Sequence, residues 1–299
     1  MSHLPFTLLA YFLNASAVTI DKFMLTKHVP NPLVYVFYFS AFSAIALLGL
    51  PFTHIPKFDV LLIASISTIL WTTGAYFMFK GLQVGMVSRV IPIIGTLIPL
   101  LLLLESVYAN SITQAQFMAV MVLVLGIVAL TITDWKGKIT KKEIIFEVLS
   151  AVFFAVSYLV LRQAYLREEF FTVLVWSRFI IVPVSILILL IPRLKKQVFE
   201  SKEDQPKRFS LFSGPGLLFL GGQAAGGTSE LLLTFSVSLA SPALVNSLAG
   251  SSYVFLFLFS LILGKKYPAI FAEKYTSLVI GTKVLGVILL AAGLYLLAI

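Results

Sequence analysis

The sequence contains no cysteine and only three histidines, His3, His28 and His54, which lie far apart. Without cysteine the chain has no disulfide, no thiolate zinc site and no thiol nucleophile. Isolated histidines near the ends of apolar segments do not make a ligand set. We therefore expect no metal centre and no cofactor.

Charge is also scarce, because only 12% of the 299 residues are charged while 59% are hydrophobic, and the mean hydropathy is +1.01. A water-soluble core cannot account for so much apolar surface. The longest polar stretch is 193–210, which is too short to fold alone. The net charge of +9 resides mainly in short connections, where basic residues orient helices rather than bind nucleic acid. The composition predicts an integral membrane protein, which we expect in the plasma (inner) membrane.

A spanning helix needs about 20 mostly apolar residues. Ten such runs occur, which predicts an all-α polytopic fold, at 4–26, 31–51, 59–80, 86–105, 113–133, 144–163, 170–192, 211–239, 243–264 and 276–298. The first run is expected to be a retained helix, since no Lys or Arg precedes it as in a signal peptide.

Two segments repeat weakly along the chain. Residues 16–40 align with 154–178, and residues 95–106 align with 255–266. The repeats predict two five-helix halves, 1–137 and 138–299. An odd number of crossings per half makes the copies run in opposite senses, as in many secondary transporters.

The segments "AYFMFKGLQVGMVSRVIPIIGTLIPLLLLLES" (75–106) and "ASPALVNSLAGSSYVFLFLFSLILGKK" (240–266) resemble the ten-helix EamA-type exporters of the drug/metabolite transporter superfamily. Where that family has Gly-Glu after a leucine run, one half keeps Glu105 and the other keeps Gly264. The resemblance implies a secondary transporter that exports small organic metabolites, such as amino acids or amphiphilic compounds, by alternating access. We expect a monomer or a homodimer.

Glu230 is the charge that lies deepest in an apolar run. Residues three, four and seven apart share a helix face, so Gln223, Gly227, Glu230 and Thr234 form one polar stripe. Arg178 is eight residues past Phe170, and Glu230 is ten before Ala240, so both lie roughly 12 to 15 Å into a core about 30 Å thick. A lone ion there is costly, so Arg178 and Glu230 are expected to pair or to share a cavity.

Two interpretations of this pair stay open. A fixed Arg178–Glu230 bridge could hold the helices together without any transport role. Alternatively, the pair binds a polar or zwitterionic substrate, or Glu230 relays a proton as coupling ion. Lys283 is either a further partner of Glu230 or a headgroup contact, and Arg89 is expected at an interface. Asp21 and Lys22 are expected to form an interfacial pair.

Uncharged polar residues also occur within the runs. The resemblance implies a central cavity lined by helices one, three, four, six, eight and nine, and it would place these candidate substrate-binding residues together: Asn14, Trp71, Tyr76, Asn246 and Tyr253. Gly221, Gly222, Gly226 and Gly227 indicate close helix packing, with a hinge as the alternative. Pro92 and Pro99 predict a kink or a free carbonyl in the fourth helix.

Orientation is predicted in two conflicting ways. One set of alternate connections holds 17 basic residues and the other holds 3, Lys57, Arg162 and Arg167. This difference places both termini outside. The family resemblance implies that both termini are cytoplasmic.

Two other functions compete with a coupled carrier. A membrane-embedded enzyme acting on lipid-linked substrates is one, but the sequence has no DxxxD or HExxH motif and no second carboxylate close to Glu230 in sequence. We expect no enzyme activity and assign no catalytic residue. A passive facilitator or scramblase is the other alternative, and ion dependence of flux separates it from a coupled carrier.

Overall fold

The computed structural model describes residues 3–28, 31–85, 87–108, 112–135, 140–199, 213–266 and 276–298. Within these ranges the chain is helical and contains no β-strand, which confirms the all-α class for this part of the protein. The helices are α1 (Leu4–Lys27), α2 (Pro32–Phe42, continued by a 3-10 segment over Ser43–Phe52), α3 (Phe58–Val84), α4 (Val87–Tyr108), α5 (Gln114–Thr131), α6 (Lys141–Tyr165), α7 (Phe170–Leu190), α8 (Pro192–Phe199), α9 (Gly214–Leu239), α10 (Pro242–Ser247), α11 (Gly250–Lys266) and α12 (Ser277–Ala298).

Nine helical segments of the described chain are long and apolar enough to cross a membrane, as an integral membrane protein requires. Two of them join neighbouring elements: Leu33–Phe52 joins α2 to its 3-10 segment, and Pro242–Gly264 joins α10 to α11. Helix α9 is absent from the nine, although its 26 residues would span about 39 Å. Glycines, Gln223 and Glu230 make α9 less apolar than the other segments.

Polar residues stand at the starts of several helices and satisfy backbone N–H groups there. Such capping matters in an apolar solvent, where an unpaired N–H has no water to bond. Side-chain oxygens accept from an N–H two or three residues on at Asn31, Thr113, Thr140, Ser213 and Ser241.

The ninth predicted run, 243–264, is not one continuous helix. The chain leaves α-helical geometry at Leu248 and Ala249, where both backbone N–H groups bond to carbonyls three residues back. Gly250 follows, and a Cβ there would overlap Leu290 of α12. The close approach of α12 thus accounts for the glycine that begins α11.

The helices pack in long pairs. Helix α1 lies along α9, α3 along α6, and α5 along α12. Hydroxyl groups bond across two of these pairs: Ser229 Oγ donates to the Ala10 carbonyl (2.7 Å), and Ser150 Oγ donates to the Gly74 carbonyl (2.9 Å). These contacts fix α9 against α1 and α6 against α3.

The glycines at positions 221, 222, 226 and 227 of α9 differ in how closely α1 approaches them. A Cβ at Gly222 would lie 2.8 Å from Ile20 Cγ2, and one at Gly226 would lie 3.5 Å from Ala17 Cβ. Gly221 and Gly227 have no heavy atom within 4 Å of that position. The close-packing interpretation therefore applies to Gly222, whereas a methyl group at Gly226 would make an ordinary contact with Ala17.

Candidate functional site: a central cavity with buried carboxylates

A cavity of ≈ 170 Å³ lies inside the bundle, between α1, α2, α3, α4, α6, α9, α10 and α11. Chain segments far apart in sequence meet there because α1 packs on α9 and α3 on α6. Six of the nine residues singled out from the sequence line it: Asn14, Trp71, Gln223, Glu230, Asn246 and Tyr253. The cavity is thus polar at several points within an apolar bundle.

Glu230 stands where this cavity meets a second one. Its side chain is 8% exposed, and Tyr158 Oη donates a hydrogen bond to Glu230 Oε2 at 3.3 Å. An outer cavity of ≈ 510 Å³, formed by α2 with its 3-10 segment, α7 and α9, shares Phe39, Gln223 and Gly227 as well as Glu230 with the central cavity. The carboxylate can therefore be reached from both spaces.

Arg178 lines the outer cavity together with Glu230. The two side chains make no ion pair within 4.0 Å, so the direct bridge considered from the sequence does not form in this structure. Arg178 and Glu230 instead line the same cavity, which was the other expectation from the sequence. Arg178 is half-buried on α7. Thr234, the fourth member of the α9 stripe, is buried and donates to the Leu231 carbonyl instead of lining a cavity.

Two tyrosines use their hydroxyl groups to hold the cavity wall together. Tyr11 Oη donates to the Val245 carbonyl (3.3 Å), and Tyr253 Oη donates to the Ile91 carbonyl (2.8 Å). A Cβ at Gly95 would overlap Tyr253 Oη, so glycine is what leaves room for this bond. The hydroxyl protons are thus committed to the main chain, and the rings face the cavity.

The amide side chains are partly committed too. Asn14 Oδ1 accepts from Ser252 Oγ at 3.5 Å, and Asn246 Nδ2 donates to the Pro242 carbonyl at 2.9 Å. The Trp71 ring stacks on Phe39 with centroids 4.8 Å apart, and its side chain interacts with Tyr158 and Glu230. Trp71 therefore belongs to the polar cluster around Glu230 in the cavity wall.

Asp21 corrects one expectation from the sequence. It was expected to pair with Lys22 at an interface, but it lines the central cavity and is 7% exposed. Lys22 Nζ instead donates to the Gly85 carbonyl at 3.3 Å. Adjacent residues of a helix point about 100° apart, so Asp21 and Lys22 face different neighbours.

Three other singled-out residues lie elsewhere or cannot be placed. Tyr76 packs against the cluster of Val36, Phe37 and Ile188, and Lys80 Nζ is 5.7 Å from the centroid of its ring. Lys283 is 4% exposed, with Nζ 4.9 Å from the centroid of Phe257. Neither lines the two cavities. The Arg89 side chain is outside the described residues.

Helix α6 carries polar residues that the sequence reasoning did not single out. Glu143 and Glu147 are 1% and 0% exposed, and Tyr158 bonds to Glu230. The available signal was periodicity, since Glu143, Glu147, Ser150 and Tyr158 recur at helical spacing on one face. Such a stripe predicts burial against a neighbouring helix, which here is α3.

Comparison with known proteins shows the fold and no family. No protein-family model matches the sequence, and no curated protein matches it. Among solved structures 27 chains match. One of them, a crystal structure of a protein, has a TM-score of 0.65 at 15% identity over 98% of this chain and 97% of the other. The chain is an integral membrane protein whose described residues form helices and no strand, and its fold also occurs in a solved structure.

Proposed function

We propose that the chain is a secondary carrier of the ten-helix EamA type, within the drug/metabolite transporter superfamily, in the plasma (inner) membrane. It exports a small organic metabolite by alternating access. The observation that carries this proposal is the central cavity, which is enclosed by helices from both ends of the chain and has the buried Glu230 in its wall. Transporters of this general type bind substrate near mid-membrane, between two repeats.

The depth of Glu230 supports a transport role. It lies 16 residues after Gly214 and 9 before Leu239, or about 24 and 14 Å from the ends of α9. A carboxylate far from both ends of a membrane helix is costly and is usually functional. Its position between the two cavities suits a group that meets a substrate or a proton from either side.

The helix pairs support the architecture of two inverted halves, 1–137 and 138–299, with α9 as the tenth crossing. In this proposal α1 to α5 correspond in order to α6, α7, α9, α10 with α11, and α12. Because α1 corresponds to α6 and α9 corresponds to α3, the contact between α1 and α9 is the counterpart of the contact between α6 and α3. Both pairs pack along their length. The α5–α12 pair is its own counterpart, because α5 and α12 correspond to each other.

The test is flux in proteoliposomes with Glu230→Gln, which keeps the shape but removes the titratable proton. We expect proton-dependent flux to be lost, by about 100-fold or more if proton transfer through Glu230 limits the cycle. Glu169→Gln is the matched control, because Glu169 is exposed between α6 and α7. Its flux should equal that of the native protein.

Other outcomes of the same assay identify the competing functions. Flux that needs no ion gradient and survives in Glu230→Gln indicates a passive facilitator. Recovery of chemically altered substrate indicates an enzyme. If Glu230→Gln keeps the coupled flux and only lowers the melting temperature, Glu230 has a structural role alone, which contradicts the proposal.

A further inference from the structure

The charges facing the central cavity are all of one sign. Of the described residues that line it, only Asp21 and Glu230 are charged. Lys22 donates to the Gly85 carbonyl, and Arg178 lines the outer cavity and not the central one. A molecule inside the central cavity therefore meets two carboxylates and no described basic side chain in its wall.

Asp21 is buried in the cavity wall, and one of its acceptors has no donor. Its Oδ1 has no hydrogen-bond partner, while its main-chain carbonyl accepts from Tyr35 Oη at 3.3 Å. A buried acceptor left without a donor is energetically unfavourable. A ligand that brings an N–H donor, and a positive charge with it, would remove this cost.

The aromatic residues around the cavity favour the same kind of ligand. Tyr11 and Tyr253 have committed their hydroxyl protons to main-chain carbonyls, and Tyr158 donates to Glu230. These three side chains therefore line the cavity with aromatic rings, whose faces are negatively polarised, and their hydroxyl protons are already used in hydrogen bonds. Such faces attract ammonium groups, and more strongly where water is excluded.

The two carboxylates lie at different levels of the cavity. Asp21 Oδ1 is 3.8 Å from the position of a Cβ on Gly222. Gly222 precedes Glu230 by eight residues on α9, which separates the two levels by about 12 Å along the helix. A small cation would therefore meet Glu230 and Asp21 in succession along the same path.

We propose that the central cavity selects organic monocations, namely amines with an aromatic or apolar body, and that Asp21 is the carboxylate that binds the ammonium group at the level of Gly222. This inference rests on the proposed carrier function and specifies its substrate class. It excludes free amino acids and organic anions as the preferred substrates.

The experiment measures binding of three ligands that share one phenyl ring and differ in charge. Phenethylamine is a cation, L-phenylalanine a zwitterion and 3-phenylpropionate an anion at pH 7. Isothermal titration calorimetry on the full chain in nanodiscs should give an affinity for the amine about tenfold or more above that for either other ligand, or ~1.4 kcal/mol. Equal or weaker binding of the amine, or no binding of all three, overturns the inference.

A variant assigns the site within the cavity. Asp21→Asn should weaken phenethylamine binding about tenfold, and it should not weaken the binding of 3-phenylpropionate. Asp59→Asn is the control, because Asp59 is exposed and pairs with Arg167 at 3.2 Å outside the cavity. If Asp21→Asn does not fold, the three-ligand comparison on the native chain still decides the charge preference.

The outcomes separate the substrate class from the carrier function. If L-phenylalanine or 3-phenylpropionate binds best and its flux needs Glu230, the carrier function stands and the cation preference is overturned. If phenethylamine binds in the expected pattern but is not moved across the membrane, the cation site stands and the carrier function fails.

Discussion

Gly222 and Gly227 lie five residues apart on α9 and have opposite surroundings. Gly222 faces Ile20 of α1, at a distance that leaves no room for a methyl group. Gly227 faces open space at the junction of the two cavities. Substituting each residue in turn separates the effect of helix packing from that of helix propensity.

We expect Gly222→Ala to destabilise the protein relative to Gly227→Ala. Both changes bring the higher helix propensity of alanine, about 0.5 to 1 kcal/mol. Only the first also forces Ile20 and α1 to move, at a cost of about 1 to 3 kcal/mol. Melting temperatures of the two variants in the same detergent measure the difference. If Gly222→Ala melted as high as Gly227→Ala, the close α1–α9 contact would not contribute to stability.

Burial of single acidic residues was only partly predictable from the sequence. Glu230 could be found because it interrupts a long apolar run far from either end. Asp21 could not, because it lies near the end of its run, and the sequence does not reveal that α9 covers it. Glu147 lies within a predicted run, but its burial depends on the position of α3.

Helix α9 ends against a side chain from another helix. Arg162 of α6 donates through Nη1 to the carbonyls of Val237 and Ser238, both at 2.6 Å. The last carbonyls of a helix have no partner within the helix, and a cation near that end also complements the helix dipole. Arg162 thus stabilises the C-terminal turn of α9.

Arg162→Met should lower the stability of the protein, because methionine keeps an unbranched side chain but cannot donate a hydrogen bond. Hydrogen bonds from a charged group are worth about 1.5 to 3 kcal/mol each, so we expect a loss of that order and faster amide exchange in the last turn of α9. Thermal melting and hydrogen exchange measure the two effects. The control is Arg167→Met, whose exposed pair with Asp59 should contribute about 0 to 1 kcal/mol. Equal effects of the two substitutions would contradict the capping role.

The helix bounds were well predicted because the thickness of the hydrocarbon core fixes the length of a spanning segment. The run 170–192 corresponds to Phe170–Leu190, and the run 4–26 to Leu4–Lys27. The break at Leu248 and Ala249 was missed. These residues are as apolar as their neighbours, and the break depends on contacts with other helices that the local sequence does not record.

At the scale of the whole molecule, the number of crossings decides the relative position of the termini. Ten crossings, with α9 included, put both termini on the same side, whereas the nine segments that qualify by composition would put them on opposite sides. We expect reporter fusions at the two termini to show the same side. If the two termini lay on opposite sides of the membrane, α9 would not be a spanning helix, and the proposed inverted repeat would be wrong.

The same fusions choose between the two orientations. Termini outside agree with the loop charges of 17 against 3. Cytoplasmic termini agree with the family resemblance, and other features of the chain must then outweigh the charge bias.

The hydroxyl bonds between helices constrain how the bundle can flex. Ser229 ties α9 to α1, and Ser150 ties α6 to α3; each pair joins a helix from the first 137 residues to one from the remainder. Inside a membrane no water can replace such a bond, so we expect the two helices of each pair to move as one rigid unit. Separating the two sequence halves would require α1 to leave α9 and α3 to leave α6 along their whole length. Movement within the bundle is therefore expected between the α1–α9 pair and the α3–α6 pair. Each moving unit would then contain helices from both halves of the sequence.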